Sequence, residues 1–90
     1  MFDMISSIKQ ATKGDYINLK RLTRAEGYIV SPSVVVYFQS YDDSKQLVTV
    51  SLDTEGLKAF SITLRSIRQI IKPSGEVVYK SDSRDIVYGN

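Results

Sequence analysis

The chain has 90 residues and a mass of 10.1 kDa, which is the length of one compact domain. It contains no Cys and no His, and this excludes disulfides, thiolate nucleophiles, imidazole bases and almost every zinc site. Twelve basic and ten acidic residues give a net charge of +2, which is too small to identify a nucleic-acid-binding protein by itself. We therefore expect a single domain over residues 1–90, with no enzymatic activity, no metal and no cofactor.

The N-terminal sequence does not resemble a targeting segment. Met1-Phe2-Asp3-Met4 lacks the basic region and the apolar stretch of a secretion signal. The chain also has no run of about 18 apolar residues that could cross a membrane. We expect a cytoplasmic protein without a membrane partner, and the lack of cysteine agrees with that expectation.

The first predicted element is a helix over residues 2–13. Apolar side chains recur there at helical spacing, and Gly14 is placed to end the helix. The next segment, residues 15–26, fits a strand because Ile17 and Leu19 alternate, but its polar and glycine boundaries also fit a capped helix. We favour the strand.

The middle of the chain predicts antiparallel strands. Residues 28–30 and 34–38 are β-branched or aromatic, and Pro32 marks a bend between them. The polar residues 40–45 have turn chemistry, and residues 46–52 alternate as a half-buried strand does, so the two segments predict a hairpin. Because residues 34–38 are apolar on both faces, we expect a second helix, another copy of the chain or a partner to cover the second face.

The longest predicted element is an amphipathic helix over residues 54–72. Asp53 can cap its N-terminus, and Pro73 follows its end. Its apolar residues follow 3-4-3-4 spacing and are Leu57, Phe60, Leu64, Ile67 and Ile71. After it, residues 76–80 and 86–88 predict a smaller hairpin.

These elements predict an α+β fold. We expect a mostly antiparallel sheet of four to six strands, with the long helix (54–72) on one face and the short N-terminal helix (2–13) at an edge or on the other face. A homodimer would bury the apolar face that remains.

The predicted long helix carries four basic residues on one side. At ~100° per residue they fall within an arc of about 80° beside the apolar stripe. Such a row of cations can contact phosphates or an acidic protein surface. Alternatively, the cations complement the helix dipole while their stems cover the edge of the core. The four residues are Lys58, Arg65, Arg68 and Lys72.

Aromatic residues near cations are a second feature of single-strand binders, because bases stack on aromatic rings. Several tyrosines of this chain lie on or beside predicted strands. Tyr41 lies in a turn rich in Asp and Ser, close to Lys45, and we expect it to be the most exposed of them. Tyrosine is equally suited to a half-buried sheet or a protein interface. Tyr41 and Lys45 complete the predicted set of binding residues.

Catalytic motifs are few. Asp43-Ser44-Lys45 has the acid-x-lysine spacing of metal-dependent nucleases, but that chemistry needs another acid on a neighbouring strand, and this segment is typical of a turn. The sequence has no glycine-rich phosphate loop and no nucleophile elbow. We therefore predict that the protein is not an enzyme.

The segment from Val48 to Leu57, VTVSLDTEGL, runs from a predicted strand through Ser-Leu-Asp into the predicted helix. It resembles the strand-to-helix joint of the positive-cofactor family of transcriptional coactivators, whose fold is shared by phage and bacterial single-strand-binding relatives. The resemblance covers residues 34–71. It implies a dimer packed through the helix, with nucleic acid lying across curved sheets and contacting residues such as Lys45 and Tyr37.

Two functions are compatible with the sequence. The first is a small non-catalytic nucleic-acid-binding protein that prefers single strands and contacts them through the predicted binding residues. The second is a protein-binding module, such as an inhibitor or accessory factor encoded by a phage or mobile element, which faces an acidic surface of a host protein. A potential map of the structure would show whether the cations form one stripe.

Overall fold

The computed structural model of the protein describes residues 4–81. Within this range the chain forms one helix, eight strands and one 3-10 turn. In chain order the elements are α1 (Met4–Gln10), β1 (Tyr16–Leu19), β2 (Thr23–Ala25), β3 (Tyr28–Val30), β4 (Val35–Asp42), β5 (Leu47–Ser51), β6 (Ala59–Thr63), the 3-10 turn (Leu64–Ser66), β7 (Ile67–Ile71) and β8 (Val77–Lys80). No helix in the described range is long and apolar enough to span a membrane.

Six strands form one antiparallel sheet in the order β6-β5-β4-β1-β7-β8, and β2 and β3 form a separate hairpin. The inner face of the sheet carries the core, because alternate residues of each strand point inwards, as Ile17 and Leu19 do on β1. The helix α1 packs against β8 and buries Ile8 in the same core. The β2–β3 hairpin packs against β6, where the ring of Tyr28 stacks on that of Phe60 with centroids 5.2 Å apart.

The hairpin also protects the outer edge of β6. Glu26 lies in the turn between β2 and β3, and its Oε2 accepts a hydrogen bond of 2.7 Å from the backbone N of Ser61. An edge strand with free backbone groups is open to pairing with other chains. The Glu26 carboxylate therefore occupies a backbone donor through which β6 could recruit another strand.

The predicted helix over residues 54–72 is wrong. That stretch contains a turn, β6, the 3-10 turn and β7. Phe60 and Ile62 are buried on β6, and Ile67 is buried again at the start of β7, after the 3-10 turn has shifted the alternation. Two strands joined by one helical turn therefore produce the 3-4-3-4 spacing that predicted a single helix. The α+β prediction is replaced by a mostly antiparallel β fold in which the described residues contain one helix, of seven residues.

Residue type explains why strands form here. The stretch is rich in β-branched residues, which lose side-chain freedom in a helix and pack well on a pleated surface. Those on β6 and β7 are Ile62, Thr63, Ile67, Ile70 and Ile71. The inner positions of β6 and β7 can bury isoleucines in the core without any long helix, so packing and local propensity agree on strands.

The other predicted elements agree more closely with the structure. The first helix is present as α1, and residues 15–26 form β1 and β2, which confirms the preference for strand. The predicted central hairpin is confirmed by β4 and β5, although β4 extends into residues predicted as turn. The strand predicted over residues 76–80 corresponds to β8, and its predicted partner strand, residues 86–88, lies outside the described residues.

Asp53 organises the turn between β5 and β6. Its carboxylate accepts hydrogen bonds from the hydroxyl of buried Ser51 and from the backbone N of Leu57 and Lys58, at 3.0 and 2.8 Å for the latter two. Gly56 of this turn has φ 85°, a left-handed conformation that favours glycine. A helix N-cap bonds the amides two or three residues ahead. Because Asp53 bonds the amides four and five residues ahead, it closes a wide turn and starts no helix.

These hydrogen bonds hold the pKa of Asp53 well below its ordinary value, and the bond from the Ser51 hydroxyl is the largest cause. Because the pKa is lower in the folded state, the stabilisation by this carboxylate is complete above the unfolded pKa of about 3.9 and is lost as the pH falls towards the folded pKa. We expect Asp53→Asn to lose less of its free energy of unfolding than the wild type between about pH 4 and pH 2, in urea titrations.

The matched control for this prediction is Glu55→Gln, which removes a carboxylate of the same turn that makes no hydrogen bond within residues 4–81. We expect the control to keep the wild-type dependence on pH. If Asp53→Asn also kept it, the ionised Asp53 would not be what holds the turn.

A buried ion pair joins the segment after α1 to the chain that leaves β7. The carboxylate of Asp15 is 1% exposed, and its Oδ2 lies 2.8 Å from Nζ of Lys72. Thr12 donates hydrogen bonds to the same carboxylate from its backbone N at 2.9 Å and its hydroxyl at 3.2 Å. Lys72 Nζ also donates to the carbonyl O of Gln10 at 3.1 Å. The pair thus fixes the end of α1 against the sheet.

We expect Lys72→Met to lower the free energy of unfolding by about 3 kcal/mol, because it leaves the buried Asp15 carboxylate without its counter-charge. Lys13→Met is the control: it removes an exposed lysine of the same segment, and we expect a change within about 0.5 kcal/mol. Adding Asp15→Asn to Lys72→Met should restore part of the loss. Equal stability of the two lysine variants in chemical denaturation would show that the pair contributes little.

Candidate nucleic-acid interface

The turn between β4 and β5 faces the 3-10 turn across an open groove of about 440 Å³. We call it the basic groove, and it is lined by Lys45, Gln46, Thr63, Leu64 and Arg65. The antiparallel pairing of β5 with β6 brings its two walls together, because Leu47, at the start of β5, pairs with Thr63, at the end of β6.

Asp42 shapes the first wall. Its Oδ1 accepts hydrogen bonds from the backbone N of Ser44 at 3.0 Å, from the Ser44 hydroxyl at 2.6 Å and from the backbone N of Lys45 at 3.3 Å. These bonds, the one from the Ser44 hydroxyl above all, lower the pKa of Asp42. Gln46 completes the turn with φ 53°. The ionised Asp42 therefore holds the backbone of the turn, while the Lys45 side chain is exposed at its tip.

The second wall is the 3-10 turn. Leu64 packs partly against the core and anchors the turn, while the next residue, Arg65, is exposed. The hydroxyl oxygens of Thr63 and Ser66 lie 3.2 Å apart, within hydrogen-bond distance. The backbone N of Lys20 donates to the carbonyl O of Ser66 at 2.8 Å and ties the turn to the end of β1. These two contacts hold the backbone of the turn that carries Arg65 in place.

The charges of the groove are unbalanced. Neither Lys45 nor Arg65 forms an ion pair with another residue of the described range, and no carboxylate lines the groove, although the charge of Lys45 attracts the nearby Asp42 carboxylate and helps to lower its pKa. Arg65 presents a planar fork of donors that suits the oxygens of a phosphate, and Lys45 supplies a mobile point charge. The amide of Gln46 and the hydroxyl of Thr63 can add neutral hydrogen bonds. The arrangement is suited to an anionic ligand with polar groups beside the charge.

The structure brings together two of the five predicted binding cations, Lys45 and Arg65. Lys58 lies in the turn before β6, roughly 16 Å along the strand from Thr63 at ~3.3 Å per residue. Lys72 is held by the buried carboxylate of Asp15. The helical arc that grouped four of the cations is absent, because the helix is absent.

Arg68 and Tyr41 lie elsewhere. Arg68 is half-buried on β7, and its Nε has no hydrogen-bond partner. Tyr41 belongs to β4, and its half-buried ring packs against the core. Its hydroxyl donates to Oδ1 of Asp43 at 3.2 Å. Desolvation, assisted by Asp43, raises the pKa of Tyr41. Tyr41 therefore presents only part of its ring to a ligand.

A feature that the sequence did not predict crosses the outer face of the six-stranded sheet. The cross-strand register aligns one residue from every strand, and we call this set the outer-face row: Val77, Ile71, Tyr16, Tyr37, Ser51 and Ala59. The rings of Tyr16 and Tyr37 meet edge to face with centroids 5.7 Å apart. Tyr16 is 37% exposed and Val77 38% exposed, and the row carries no charge.

The local sequence contains only weak signs of this row. Tyr16 pairs with Tyr37 on one side and with Ile71 on the other, so the row depends on pairings between distant segments. The apolar character of residues 34–38 on both faces was the one available sign, and the structure leaves the outer face of that strand partly exposed at Val35.

Acidic residues of the described range do not cluster in a way that could hold a metal ion. Comparisons with known proteins reveal no relative: no protein-family model, no curated protein and no solved structure matches the chain. The resemblance to the positive-cofactor family stays a prediction, and the helix that it includes is a turn and strands in the structure. The function has to be inferred from the geometry of the chain itself.

Proposed function

We propose that the protein binds single-stranded nucleic acid and that the sugar-phosphate backbone of the strand lies in the basic groove. The observation that carries this proposal is the meeting of Lys45 and Arg65, two exposed cations from different segments, on opposite walls of one groove without a carboxylate. Phosphate contacts provide most of the affinity of non-specific nucleic-acid binding. The groove offers two such contacts, whereas the rest of the chain carries basic and acidic residues in equal number.

The size of the groove is compatible with a single strand. Its volume of about 440 Å³ lies in the range of small-ligand pockets and can admit a group of the size of a nucleotide. Leu64 provides an apolar surface for a sugar or base, while Gln46 and Thr63 can bond to base edges. Because the two walls are turns, the strand can approach without displacing any element of the sheet.

The proposal predicts weak, salt-dependent binding. Each phosphate contact on a single strand contributes a slope of about −0.7 to the dependence of log K on log[salt]. We expect Lys45→Gln and Arg65→Gln each to reduce the magnitude of the slope by about 0.7, because each removes one cation from the groove. The measurement is fluorescence anisotropy of a labelled oligothymidylate at several KCl concentrations.

Arg24→Gln is the matched control, because Arg24 is an exposed arginine of β2 that does not line the groove. It should keep the wild-type slope, and a duplex of equal length should bind less tightly than the single strand. No binding at low salt, or an equal effect of Arg24→Gln, would disprove the proposal.

The outer-face row favours protein binding as the second candidate function. A row of uncharged side chains with exposed apolar members, here Tyr16 and Val77, is typical of protein interfaces, including those of homodimers. We expect Tyr16→Ser to abolish self-association in sedimentation velocity, or stoichiometric capture of one protein from nuclease-treated extract, without changing oligonucleotide binding. A wild-type protein that stays monomeric at every concentration and captures no protein would exclude this candidate.

A further inference from the structure

The strand β6 forms one edge of the six-stranded sheet and lacks the residues that usually protect such an edge. Its sequence over Ala59–Thr63, AFSIT, contains no charged residue and no proline. Charged side chains and prolines on an edge strand hinder its pairing with another chain. The protection of this edge therefore has to come from another part of the fold.

The backbone of β6 directs three donors away from β5. The carbonyl O of Lys58 accepts a hydrogen bond of 3.2 Å from the chain that leaves β5, so the backbone of Lys58 faces β5. Because these groups alternate along an antiparallel strand, the outward N–H groups belong to Ala59, Ser61 and Thr63. The hydrogen bond of 2.7 Å from N of Ser61 to Oε2 of Glu26 agrees with this assignment. Glu26 thus occupies the central one of the three donors, and the residues on either side of it are exposed.

Glu26 holds this position in a backbone conformation that does not favour glutamate. Glu26 and Gly27 form the two-residue turn of the β2–β3 hairpin, and their φ angles are 51° and 87°. A hairpin turn with two left-handed residues prefers Asn-Gly, and left-handed residues other than glycine are uncommon. The side chain of asparagine is one methylene shorter than that of glutamate. The residue at position 26 is therefore better suited to reaching the edge of β6 than to forming the turn.

The body of the hairpin is anchored on the inner face of the sheet, away from the edge. The ring of Tyr28 stacks on that of Phe60 with centroids 5.2 Å apart, and the side chain of Phe60 is buried in the core. Tyr28 itself packs partly against that core. The hydrogen bond from Ser61 to Glu26 can therefore break while the contact between Tyr28 and Phe60 is kept.

The edge of β6 is complementary to itself. When a second β6 is placed antiparallel with Ser61 opposite Ser61, Ala59 of each copy lies opposite Thr63 of the other. All three outward backbone groups then form hydrogen-bonded pairs. Phe60 lies opposite Ile62, and the paired residues of β6 carry no charges that could repel one another. Such a contact uses the same strand in both copies, as a two-fold interface requires.

We propose that β6 is a docking edge for a second copy of this chain and that Glu26 blocks it. When the Glu26 carboxylate leaves Ser61, two copies join their sheets through antiparallel β6 strands. Main-chain hydrogen bonds provide the affinity of this type of strand addition. The contact uses the edge of the sheet, whereas the outer-face row lies on its face, and it does not depend on the function proposed for the basic groove.

The first test compares two variants of Glu26 in sedimentation equilibrium. Glu26→Asn suits the turn but is too short to reach Ser61, and we expect its dimer to be at least about tenfold tighter than that of the wild type, because no hydrogen bond to a charged group has to be broken first. Glu26→Gln is the matched control, since it keeps the length and a carbonyl oxygen that can accept the bond, and it should stay close to the wild type.

Two outcomes of this comparison would overturn the proposal. One is a folded Glu26→Asn, verified by circular dichroism, that associates no more than the wild type. The other is an equal increase in Glu26→Gln, because that variant keeps the contact that is proposed to block the edge.

The second test locates the interface. Adding Ser61→Pro to Glu26→Asn removes the central outward donor but no hydrogen bond of the β5–β6 ladder, and proline is tolerated at such edge positions. We expect this double variant to be monomeric. Association that persists in it, as association through the outer-face row would, contradicts the proposal.

Amide hydrogen exchange gives the same information without the proline. In Glu26→Asn, exchange at Ala59 and Thr63 should slow as the protein concentration rises, because both amides become paired in the dimer. Exchange at these two amides that does not depend on concentration, in a variant that dimerises, would place the interface elsewhere and overturn the proposal.

Discussion

The buried carboxylate of Asp15 is the point on which the arrangement of the fold depends. Its side chain binds Lys72 after β7, and its backbone O accepts a hydrogen bond of 2.8 Å from the N of Phe38 on β4. Thr12, after α1, donates to it as well. The start of β1 is therefore fixed to both neighbouring strands and to the helix at one place. Because a one-residue slip would exchange the inner and outer faces of β1, this fixation also determines which side chains form the core.

The second determinant is the 3-10 turn between β6 and β7. For three residues it interrupts the alternation of inward-facing and outward-facing side chains. The strand before it, β6, pairs with β5, and the strand after it, β7, pairs with β1 on the other side of β4. The same turn supplies Arg65 to the basic groove. The chain that follows enters β7 with a bulge at Arg68. One short connection thus positions a wall of the basic groove and the start of β7.

The strands could be predicted where the signal is local. The hairpin of β4 and β5 follows from β-branched residues on either side of a polar turn, and both strands are found. Residues 54–72 could not be predicted in this way, because two strands joined by a helical turn repeat apolar residues at the same spacing as a helix. Asp53 was equally ambiguous, because a carboxylate that can cap a helix can also close a wide turn. In the structure it accepts hydrogen bonds from the Ser51 hydroxyl and from the amides of Leu57 and Lys58.

The candidate site, too, could be predicted from the sequence only in part. Lys45 and Arg65 were chosen from the sequence for different reasons, one for its turn and the other for a helix that does not exist. Their proximity comes from the pairing of Leu47 with Thr63, which no local pattern contains. Lys72 was chosen on the same grounds as Arg65, yet a buried carboxylate 57 positions away occupies it. Sequence identifies residue types suited to an anion, but only the register of the sheet decides which of them remain available.

That distinction changes how the charge of the chain should be interpreted. The net charge of +2 counts every cation equally, whereas only a cation without an internal partner can replace the counterions of a phosphate. Lys72 is neutralised within the fold, and Lys58 is exposed but isolated at the far end of β6 from the groove. Lys45 and Arg65 are exposed together, and neither forms an ion pair within residues 4–81. The affinity of such a small, weakly charged protein for an anion therefore depends on the few cations that its fold leaves unpaired and close together, and not on its overall composition.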